Sequence, residues 1–316
     1  MSMNKVQTLR QKIKDNIQKV IIGKDSVIDQ MIIGILCDGH VLLEDVPGTG
    51  KTVLAKALSK SMDAGFSRIQ FTPDLMPSDL TGINYYNQKE GEFRFKKGPL
   101  MNQIILADEI NRATPRTQSS LLEAMAERQI TVDGETHKLD RPFFVIATQN
   151  PVETKGTFPL PEAQLDRFFM QLSMGYPNLS EEMNILKRFK TENPLDELQP
   201  VITREELDEA KKIFEVVKVS EEISEYLILI AHATRSHSEV ELGVSPRGTM
   251  ALFNAVQATA AIQGRDYVLP DDVKMMAVPV LAHRLILNSN AVITGRKATE
   301  VIEHILKEAP VPTEKL

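Results

Sequence analysis

The stretch that decides the fold is Val41-Leu42-Leu43-Glu44-Asp45-Val46-Pro47-Gly48-Thr49-Gly50-Lys51-Thr52. It is an apolar run that turns through a glycine-rich loop, and apolar residues then recur at helical spacing (Val53, Leu54, Ala57 and Leu58). A strand, a flexible loop and a helix in this order favour a phosphate-binding loop, because backbone N–H groups can point inward at an anion and the helix adds its positive N-terminal end. The alternative is a glycine turn before a surface helix.

Two side chains give this loop its specific chemistry. In the phosphate-loop pattern, a lysine such as Lys51 reaches the β- and γ-phosphates of a nucleotide, and the hydroxyl of Thr52 holds Mg²⁺. Asp45 stands where the usual pattern opens with a glycine, so the motif is incomplete at its first position. The residues expected to contact the nucleotide along the loop are Pro47, Gly48, Thr49, Gly50, Lys51, Thr52 and Val53.

Composition bounds the class of protein. At 316 residues the chain exceeds one average domain, and two are expected at ~100–200 residues each. The net charge of −6 gives no overall basic surface for nucleic acid. The single cysteine, Cys37, excludes an internal disulfide framework, and no apolar run approaches the ~18 residues that a membrane span needs. These features predict a cytoplasmic protein without a membrane span.

The first part of the chain alternates strands with helices. Apolar runs predict strands beginning at Val41 and at 68–71, 103–109 and 142–148, and helical spacing predicts helices at 4–20, at 25–37 and after Thr114-Pro115. This alternation indicates an α/β fold, an αβα sandwich around a mostly parallel sheet with active groups at the carboxyl ends of the strands. Hairpins are expected near 83–96 and 130–139.

The residue pattern changes at about Tyr176. Prolines punctuate the region 177–200, and only helical patterns follow, beginning with a capping box at Thr203 and Glu206. Further helices are expected over 220–236, 246–263, 271–287 and 297–307. The predicted organisation is therefore a nucleotide-binding core (1–176), a linker (177–200) and a small all-helical domain (201–316).

Acidic and amide side chains follow two of the buried strands. Asp108 and Glu109 end the run at 103–109, and Asn150 ends the next one. Asp108 can position Mg²⁺ through water, Glu109 can orient or deprotonate an attacking water, and Asn150 can hydrogen-bond the γ-phosphate or that water. Taken alone, the acids are a solvated strand end and Asn150 an Asn-Pro turn; together with a phosphate loop they predict a site for nucleotide hydrolysis.

Two arginines extend this hypothesis. Arg167 lies in Leu165-Asp166-Arg167-Phe168-Phe169, and a neighbouring subunit inserts such an arginine to neutralise charge in the transition state. Arg247 follows Ser245-Pro246 at the start of a predicted helix, where the helix dipole mildly disfavours a cation and a phosphate offsets that cost. An exposed or structural arginine is the alternative for each.

The motifs together resemble a family, the AAA+ ATPases, and within it the MoxR group, which is similar to the magnesium-chelatase ATPase subunit. The resemblance covers nearly the whole chain. It is carried by 20–23 (VIIG), 44–52 (EDVPGTGKT), 107–112 (ADEINR), 147–151 (ATQNP), 160–168 (LPEAQLDRF) and 245–247 (SPR). Asp45 departs from the glycine of the wider superfamily and agrees with the MoxR form.

The resemblance implies roles that the residues alone do not give. It implies ATP and Mg²⁺ as ligands, contact between adenine and Ile22 and Gly23, Asn150 as first sensor, Arg167 as intersubunit finger and Arg247 as second sensor. Arg112 and Arg116 are alternatives for the finger. It also implies a homo-oligomeric ring, usually a hexamer, with both hairpins facing its pore. Chaperone-like activation of client proteins, metal-cofactor insertion and partners with von Willebrand factor A-type domains belong to the same implication.

Two other functions remain open at this point. A nucleic-acid motor is one, because Lys89, Arg94, Lys96 and Lys97 cluster around the first hairpin, although the acidic total argues against it. A non-hydrolysing nucleotide switch is the other, and the intact Asp108-Glu109 pair argues against that. The six histidines have no Cys or carboxylate partners at ligand spacing, so no metal site beyond nucleotide-bound Mg²⁺ is expected.

Overall fold

The structure is a computed structural model, and it describes residues 3–150, 156–188 and 194–312. Pro151, which ends one of the motifs quoted above, lies outside these residues. The helices are α1 (Asn4–Gln18), α2 (Asp25–Leu36), α3 (Lys51–Ser61), α4 (Pro77–Thr81), α5 (Pro115–Glu127), α6 (Glu162–Leu165), α7 (Leu179–Arg188), α8 (Arg204–Phe214), α9 (Glu221–Ser236), α10 (Pro246–Ile262), α11 (Pro270–Leu281), α12 (Ser289–Ile293) and α13 (Ala298–Glu308). The strands are β1 (Val41–Glu44), β2 (Phe66–Gln70), β3 (Gly82–Asn87), β4 (Glu92–Lys97), β5 (Ile104–Asp108), β6 (Gln129–Val132), β7 (Glu135–Lys138), β8 (Phe144–Gln149), β9 (Met170–Leu172), β10 (Val240–Leu242) and β11 (Ile286–Leu287).

A five-stranded sheet organises the first part of the chain. Its strand order is β2-β5-β8-β1-β9, and every neighbouring pair is parallel. β1 therefore lies between β8 and β9, and the loop after it opens at the carboxyl edge of the sheet beside the ends of β5 and β8. The predicted α/β fold with a parallel sheet is confirmed.

Alternation along β1 divides the core into two layers. Val41 and Leu43 pack with helices α1, α2 and α3 on one face, whereas Leu42 packs with α5 on the other. All three side chains are fully buried, as expected for a parallel strand covered on both sides. Burial on both faces fixes the strand, and with it the position of the loop that follows.

The carboxyl-terminal part is a helical lid, as the pattern predicts, with two additions. The predicted helix at 271–287 ends at Leu281, because Pro279 disrupts its last turn and a 3₁₀ turn at Ala282–Arg284 follows. The remaining apolar residues form β11, which pairs antiparallel with β10. α7 lies within the predicted linker, so part of that segment is helical.

The lid packs against the open edge of the sheet. Helix α11 contacts β9, while α10 packs on α1 and α2. The strand β9 was not predicted, because it is only three residues long. Its pairing with β1 carries the preceding residues, 166–169, to the amino edge of the sheet, where Phe169 donates its backbone N–H to the carbonyl of His40.

The two hairpins are β3–β4 and β6–β7, close to the expected positions. They contact each other through the parallel rings of Phe95 and His137, whose centroids lie 4.4 Å apart, and through a 2.9 Å hydrogen bond from Asn84 to Asp133. Large apolar side chains on the first hairpin remain exposed, with Phe93 at 74% and Tyr86 at 54%. This is an unusual place for aromatic residues unless they contact a partner.

Candidate active site

The phosphate loop leaves β1 and enters α3 through two glycines in the left-handed region. Gly48 has φ of 84° and Gly50 has φ of 91°, conformations that side chains with a Cβ adopt at a cost. Apart from their chain neighbours, no heavy atom of the described residues lies within 4 Å of where a Cβ would stand on either glycine, so both positions border open space. α3 then begins at Lys51, and its free N–H groups and dipole face the same space.

The loop forms one wall of a cavity of about 410 Å³ at the carboxyl edge of the sheet. The opposite wall comes from the ends of β2, β5 and β8. The lining residues are Asp45, Pro47, Gly48, Gly50, Lys51, Thr52, Val53, Arg68, Gln70, Asp108, Glu109, Thr148, Gln149 and Asn150. A volume of this size is within the usual range for small-molecule sites.

Lys51 points back into its own loop. Its Nζ donates to the carbonyl oxygens of Asp45 at 2.9 Å and Val46 at 3.0 Å. Burial lowers the pKa of Lys51, and the carboxylates of Asp45, Asp108 and Glu109 oppose that shift. Phosphate oxygens can replace the two carbonyls as charge-assisted acceptors, so the lysine is held in reach of an anion.

Asp108 is fixed by a threonine of the 147–151 motif to which the sequence analysis assigns no role. Thr148, 2% exposed at the end of β8, donates its hydroxyl to Asp108 Oδ1 at 2.6 Å. The same hydroxyl accepts the backbone N–H of Glu109 at 2.8 Å. The other oxygen, Oδ2, accepts two N–H groups of Arg68, from Nη2 at 2.6 Å and from Nε at 3.1 Å.

Glu109 is directed into the cavity by its backbone. Its φ of 56° and ψ of 51° are left-handed, a conformation that costs a non-glycine residue of order 1 kcal/mol and is found at functional sites. Its Oε2 accepts a hydrogen bond of 2.7 Å from Gln70 and forms an ion pair of 3.1 Å with Arg112. Gln70, like Arg68, lies on β2 and was not predicted to belong to the site.

The donor set of the cavity fits Mg²⁺. The Thr52 hydroxyl and the Asp108 carboxylate are the oxygen ligands that this ion prefers, and both line the same cavity. The guanidinium of Arg68 already places a positive charge on Asp108 Oδ2, which indicates that this oxygen is accessible to a cation. Asn150 lines the wall next to Asp108 and Glu109, as the neighbouring order of β5 and β8 requires.

Asp45, the departure from the usual loop pattern, has a structural explanation. Asp45 is 6% exposed, and its Oδ2 accepts the backbone N–H groups of Met174 at 2.7 Å and Gly175 at 3.0 Å. Its other oxygen accepts the N–H of Val46 at 3.2 Å. A glycine could not make these bonds, so Asp45 fastens the start of the phosphate loop to the segment that leaves β9.

Four predicted nucleotide contacts, Ile22, Gly23, Thr49 and Arg247, do not line the cavity. The hydroxyl of Thr49 donates to the carbonyl of Val46 at 3.4 Å. Ile22 and Gly23 lie half-buried before α2, where the carboxylate of Glu181 comes so close to Gly23 that a Cβ would lie 2.1 Å from it. Their contact with adenine stays a prediction.

Arg167 and Arg247 lie near the amino ends of the sheet strands, whereas the phosphate loop lies at their carboxyl ends. Arg167 precedes β9, is exposed, and donates to the carbonyl of Leu122 at 2.8 Å. Arg247 is exposed in the first turn of α10, whose N-cap Ser245 donates to Asp166 at 3.3 Å. The loop begins after the carboxyl end of β1, so neither arginine shares a cavity with its own Lys51.

A buried arginine of the lid joins the two exposed ones. Arg284 is 8% exposed, forms an ion pair with Asp166, and donates to the carbonyls of Phe168 at 2.7 Å and Phe169 at 3.2 Å. Burial lowers the pKa of Arg284, with a smaller effect in the same direction from Arg247, while Asp166 opposes it. The residues around Arg167 are thereby fixed to the lid.

Comparisons with known proteins follow this division of the chain. Residues 40–170 match the family model described as the ATPase family associated with various cellular activities (AAA), and residues 232–305 match the AAA lid domain. The chain is 37% identical to Chaperone MoxR1 of Mycobacterium tuberculosis, over 97% of this chain and 83% of that protein. This chain belongs to the MoxR family of AAA+ ATPases. Its relation to that family extends over both the core and the lid.

Other relatives of this MoxR-family protein agree with its fold. It is 48% identical to the uncharacterized protein YeaC of Bacillus subtilis, over 95% of this chain and 94% of that one. A crystal structure of a candidate ATPase from Cytophaga hutchinsonii has 41% sequence identity, covers 98% of both chains, and superposes with a TM-score of 0.91. In the part of the chain that the structure describes, no helix is long and apolar enough to cross a membrane.

Proposed function

We propose that this MoxR-family protein binds and hydrolyses ATP with Mg²⁺ in the cavity beside the phosphate loop. The observation that carries the proposal is that one cavity of about 410 Å³ is lined by four residues from distant parts of the sequence: Lys51, Asp108, Glu109 and Asn150. Each has the chemistry that phosphoryl transfer needs, which is mostly the placement of charge and water.

Each side chain takes one role. The backbone of Gly48 to Thr52 surrounds the phosphates, and Lys51 exchanges its loop carbonyls for the β- and γ-phosphates. Glu109 orients and deprotonates the attacking water, while Gln70 holds the carboxylate until then. Asn150 hydrogen-bonds the γ-phosphate or the water. Thr52, and Asp108 through water, would hold Mg²⁺, which would supply positive charge to neutralise the phosphates.

We further propose that the site is completed by a neighbouring subunit in a ring, with six subunits as the expected number. Support comes from Arg167 and Arg247, which are exposed at the amino edge of the sheet, away from their own phosphate loop. A head-to-tail interface brings this edge of one subunit toward the loop of the next and closes a ring when the rotation allows. Arg167 then acts as the finger and Arg247 as the second sensor on a neighbour's nucleotide.

The alternatives for the finger have other partners. Arg112 forms an ion pair with Glu109 of its own chain at 3.1 Å, which gives it a positioning role within the site. Arg116 is exposed in the first turn of α5 and remains the alternative to test.

Client proteins are the proposed target of the hydrolysis cycle. The first hairpin exposes Ile83, Tyr85, Tyr86 and Phe93, and the edge-to-face pair of Tyr86 and Phe93 presents a firm aromatic surface. Such a surface suits apolar segments of a protein. We propose chaperone-like remodelling or activation of clients in the cytoplasm, with a von Willebrand factor A-type domain protein as the partner class and metal-cofactor insertion as one outcome.

Nucleic acid is a weaker candidate for the same hairpin. Arg94 forms ion pairs with Glu90 and Glu92, so one of the four cations there is already neutralised. Stimulation of turnover by DNA that falls steeply with salt would favour the motor hypothesis instead.

The experiment that tests the function is ATP turnover by purified protein with and without Mg²⁺. We expect Mg²⁺-dependent release of phosphate, with turnover per chain rising as protein concentration rises and subunits meet. Binding of ATP without any turnover would favour the non-hydrolysing switch. A pull-down with Glu109→Gln, which should retain clients in the ATP state, would identify the partner.

A further inference from the structure

Arg68 is a cation in the nucleotide cavity for which no motif accounts. It lies on β2, which pairs with β5 so that Arg68 stands opposite Leu106 and Gln70 opposite Asp108. Two of its N–H groups, on Nη2 and Nε, converge on the single oxygen Oδ2 of Asp108 at 2.6 and 3.1 Å. The guanidinium thus covers one oxygen of the carboxylate that the proposed function assigns to Mg²⁺.

That oxygen is the one a metal ion needs. Oδ1 of Asp108 already accepts the hydroxyl of buried Thr148 at 2.6 Å, so Oδ2 is left to face the cavity. While two N–H groups of Arg68 occupy Oδ2, the bound water of a divalent ion has no acceptor position left on that oxygen, and the guanidinium charge repels the ion itself. Asp108 therefore has to exchange one cation for the other.

Arg68 has room and alternative acceptors for this exchange. Its side chain is 48% exposed, whereas that of Asp108 is 15% exposed, so the arginine is the partner that can move. Its Nη2 also donates to Gln70 Oε1 at 3.0 Å, in the direction of Glu109. Phosphate oxygens bound in the same cavity would offer it stronger acceptors than water does.

We propose that Arg68 is a displaceable counter-ion of Asp108: it holds the carboxylate while no nucleotide is bound and competes with Mg²⁺ for the same oxygen. This inference rests on the proposed function and deepens it. Arg68 is a positioning residue in this scheme, and its removal makes the site favour Mg²⁺ more strongly. The cost of displacement then belongs to the binding of Mg²⁺ with ATP and not to the binding of metal-free nucleotide.

The test measures nucleotide binding, without turnover. The fluorescent non-hydrolysable analogue mant-AMPPNP is titrated into the 316-residue protein with EDTA and, separately, with saturating Mg²⁺. The dissociation constant in EDTA divided by that in Mg²⁺ gives the factor by which the metal strengthens binding. Any general attraction of Arg68 for phosphate affects both titrations and cancels in the ratio. We expect Arg68→Gln to raise the ratio about fivefold, the scale of a half-exposed ion pair.

Two further variants separate competition from a structural effect. Arg68→Lys keeps the charge and loses the paired N–H groups, so its ratio should lie between wild type and Arg68→Gln. Arg204→Gln removes an arginine of similar exposure, 56%, from the surface of α8 and should leave the ratio unchanged. A ratio in Arg68→Gln that is equal to or lower than wild type would overturn the inference. Failure of the wild-type protein to bind the analogue in either titration would overturn the proposed function, and this inference with it.

Discussion

A mixture of two inactive variants should regain activity if the site is shared between subunits. Lys51→Ala removes the phosphate contact of the loop, and Arg167→Ala removes the proposed finger. Within one chain these residues lie beyond opposite ends of β1, whose four residues alone span about 13 Å at ~3.3 Å each. A site at a subunit boundary takes its loop from one chain and its arginine from the next, so one chain's defect can be compensated by the other.

The expected yield follows from counting interfaces. In a random equal mixture, about one interface in four joins an intact loop from an Arg167→Ala chain to an intact arginine from a Lys51→Ala chain, whatever the number of subunits in the ring. Each variant alone should be slower than wild type, by ~10³–10⁵-fold for loss of the finger if it acts as in GTPase activation. The mixture should therefore recover about one quarter of the wild-type rate.

The assay is phosphate release from ATP after the two variants have been mixed and reassembled, with size-exclusion chromatography to verify that mixed oligomers form. Mixing Lys51→Ala with Glu109→Gln is the matched control, because Lys51 and Glu109 line the same cavity of the same chain and no interface can restore both. The same design tests whether Arg247 also acts on the neighbour's site. A mixture of Lys51→Ala with Arg247→Ala should recover turnover, whereas a mixture of Arg167→Ala with Arg247→Ala should not, because no single chain then supplies both arginines. Mixed oligomers of Lys51→Ala and Arg167→Ala that stay inactive would refute the shared site.

Three other outcomes follow from the contacts around the site. Glu109→Gln should lower the turnover number by ~10²–10⁴-fold, while ATP binding, measured by calorimetry, stays within a few-fold of wild type; retained hydrolysis would remove Glu109 from its role as base. Asp45→Asn should lose ~1–3 kcal/mol of unfolding free energy in urea, because one amide oxygen cannot replace two carboxylate oxygens as acceptors for three backbone N–H groups, of which that of Met174 is buried; an unchanged midpoint would contradict that account. Burial lowers the pKa of His40 to about 4 from 6.5, so the unfolded chain binds the proton more tightly and stability is lost as the pH falls between those values. Relative to His40→Gln, wild type should lose ~2 kcal/mol between pH 7 and pH 5, and exposed His304→Gln should behave as wild type.

The part of the site that is local in sequence was predictable, and the part that depends on strand register was not. The phosphate loop and the Asp108-Glu109 pair are recognisable because each follows its own buried strand within a few residues. Arg68 and Gln70 reach the same cavity only because β2 pairs with β5 in one register, and a shift by one residue would turn both side chains to the other face. The alternation of polar and apolar residues in Arg68-Ile69-Gln70 was the one feature of the sequence that indicated two polar side chains on the same face of this strand.

The placement of Arg247 shows a different limit. The motif Ser245-Pro246-Arg247 predicts a cation at a helix start, but the surface that this cation faces depends on where the lid docks. That docking is determined by Arg284 and by apolar contacts between α11 and β9, and neither was visible in the pattern. The strand β9 was missed because of its length: three residues show too little periodicity to be distinguished from a loop.

Asp166 is the residue at which these long-range contacts meet. It accepts the guanidinium of Arg284 from the lid and the hydroxyl of Ser245 at the start of α10, and it directly precedes Arg167 in the chain. These contacts connect the backbone that carries Arg167 to the start of α10, which carries Arg247. At the opposite edge of the sheet, Asp45 ties the phosphate loop to the segment that leads out of β9 toward the lid. The strand β9 therefore connects the segment held by Asp45 at its carboxyl end with Asp166 and Arg167 before its amino end. Under the proposed ring, this strand joins one subunit's phosphate loop to the arginines proposed to reach its neighbour.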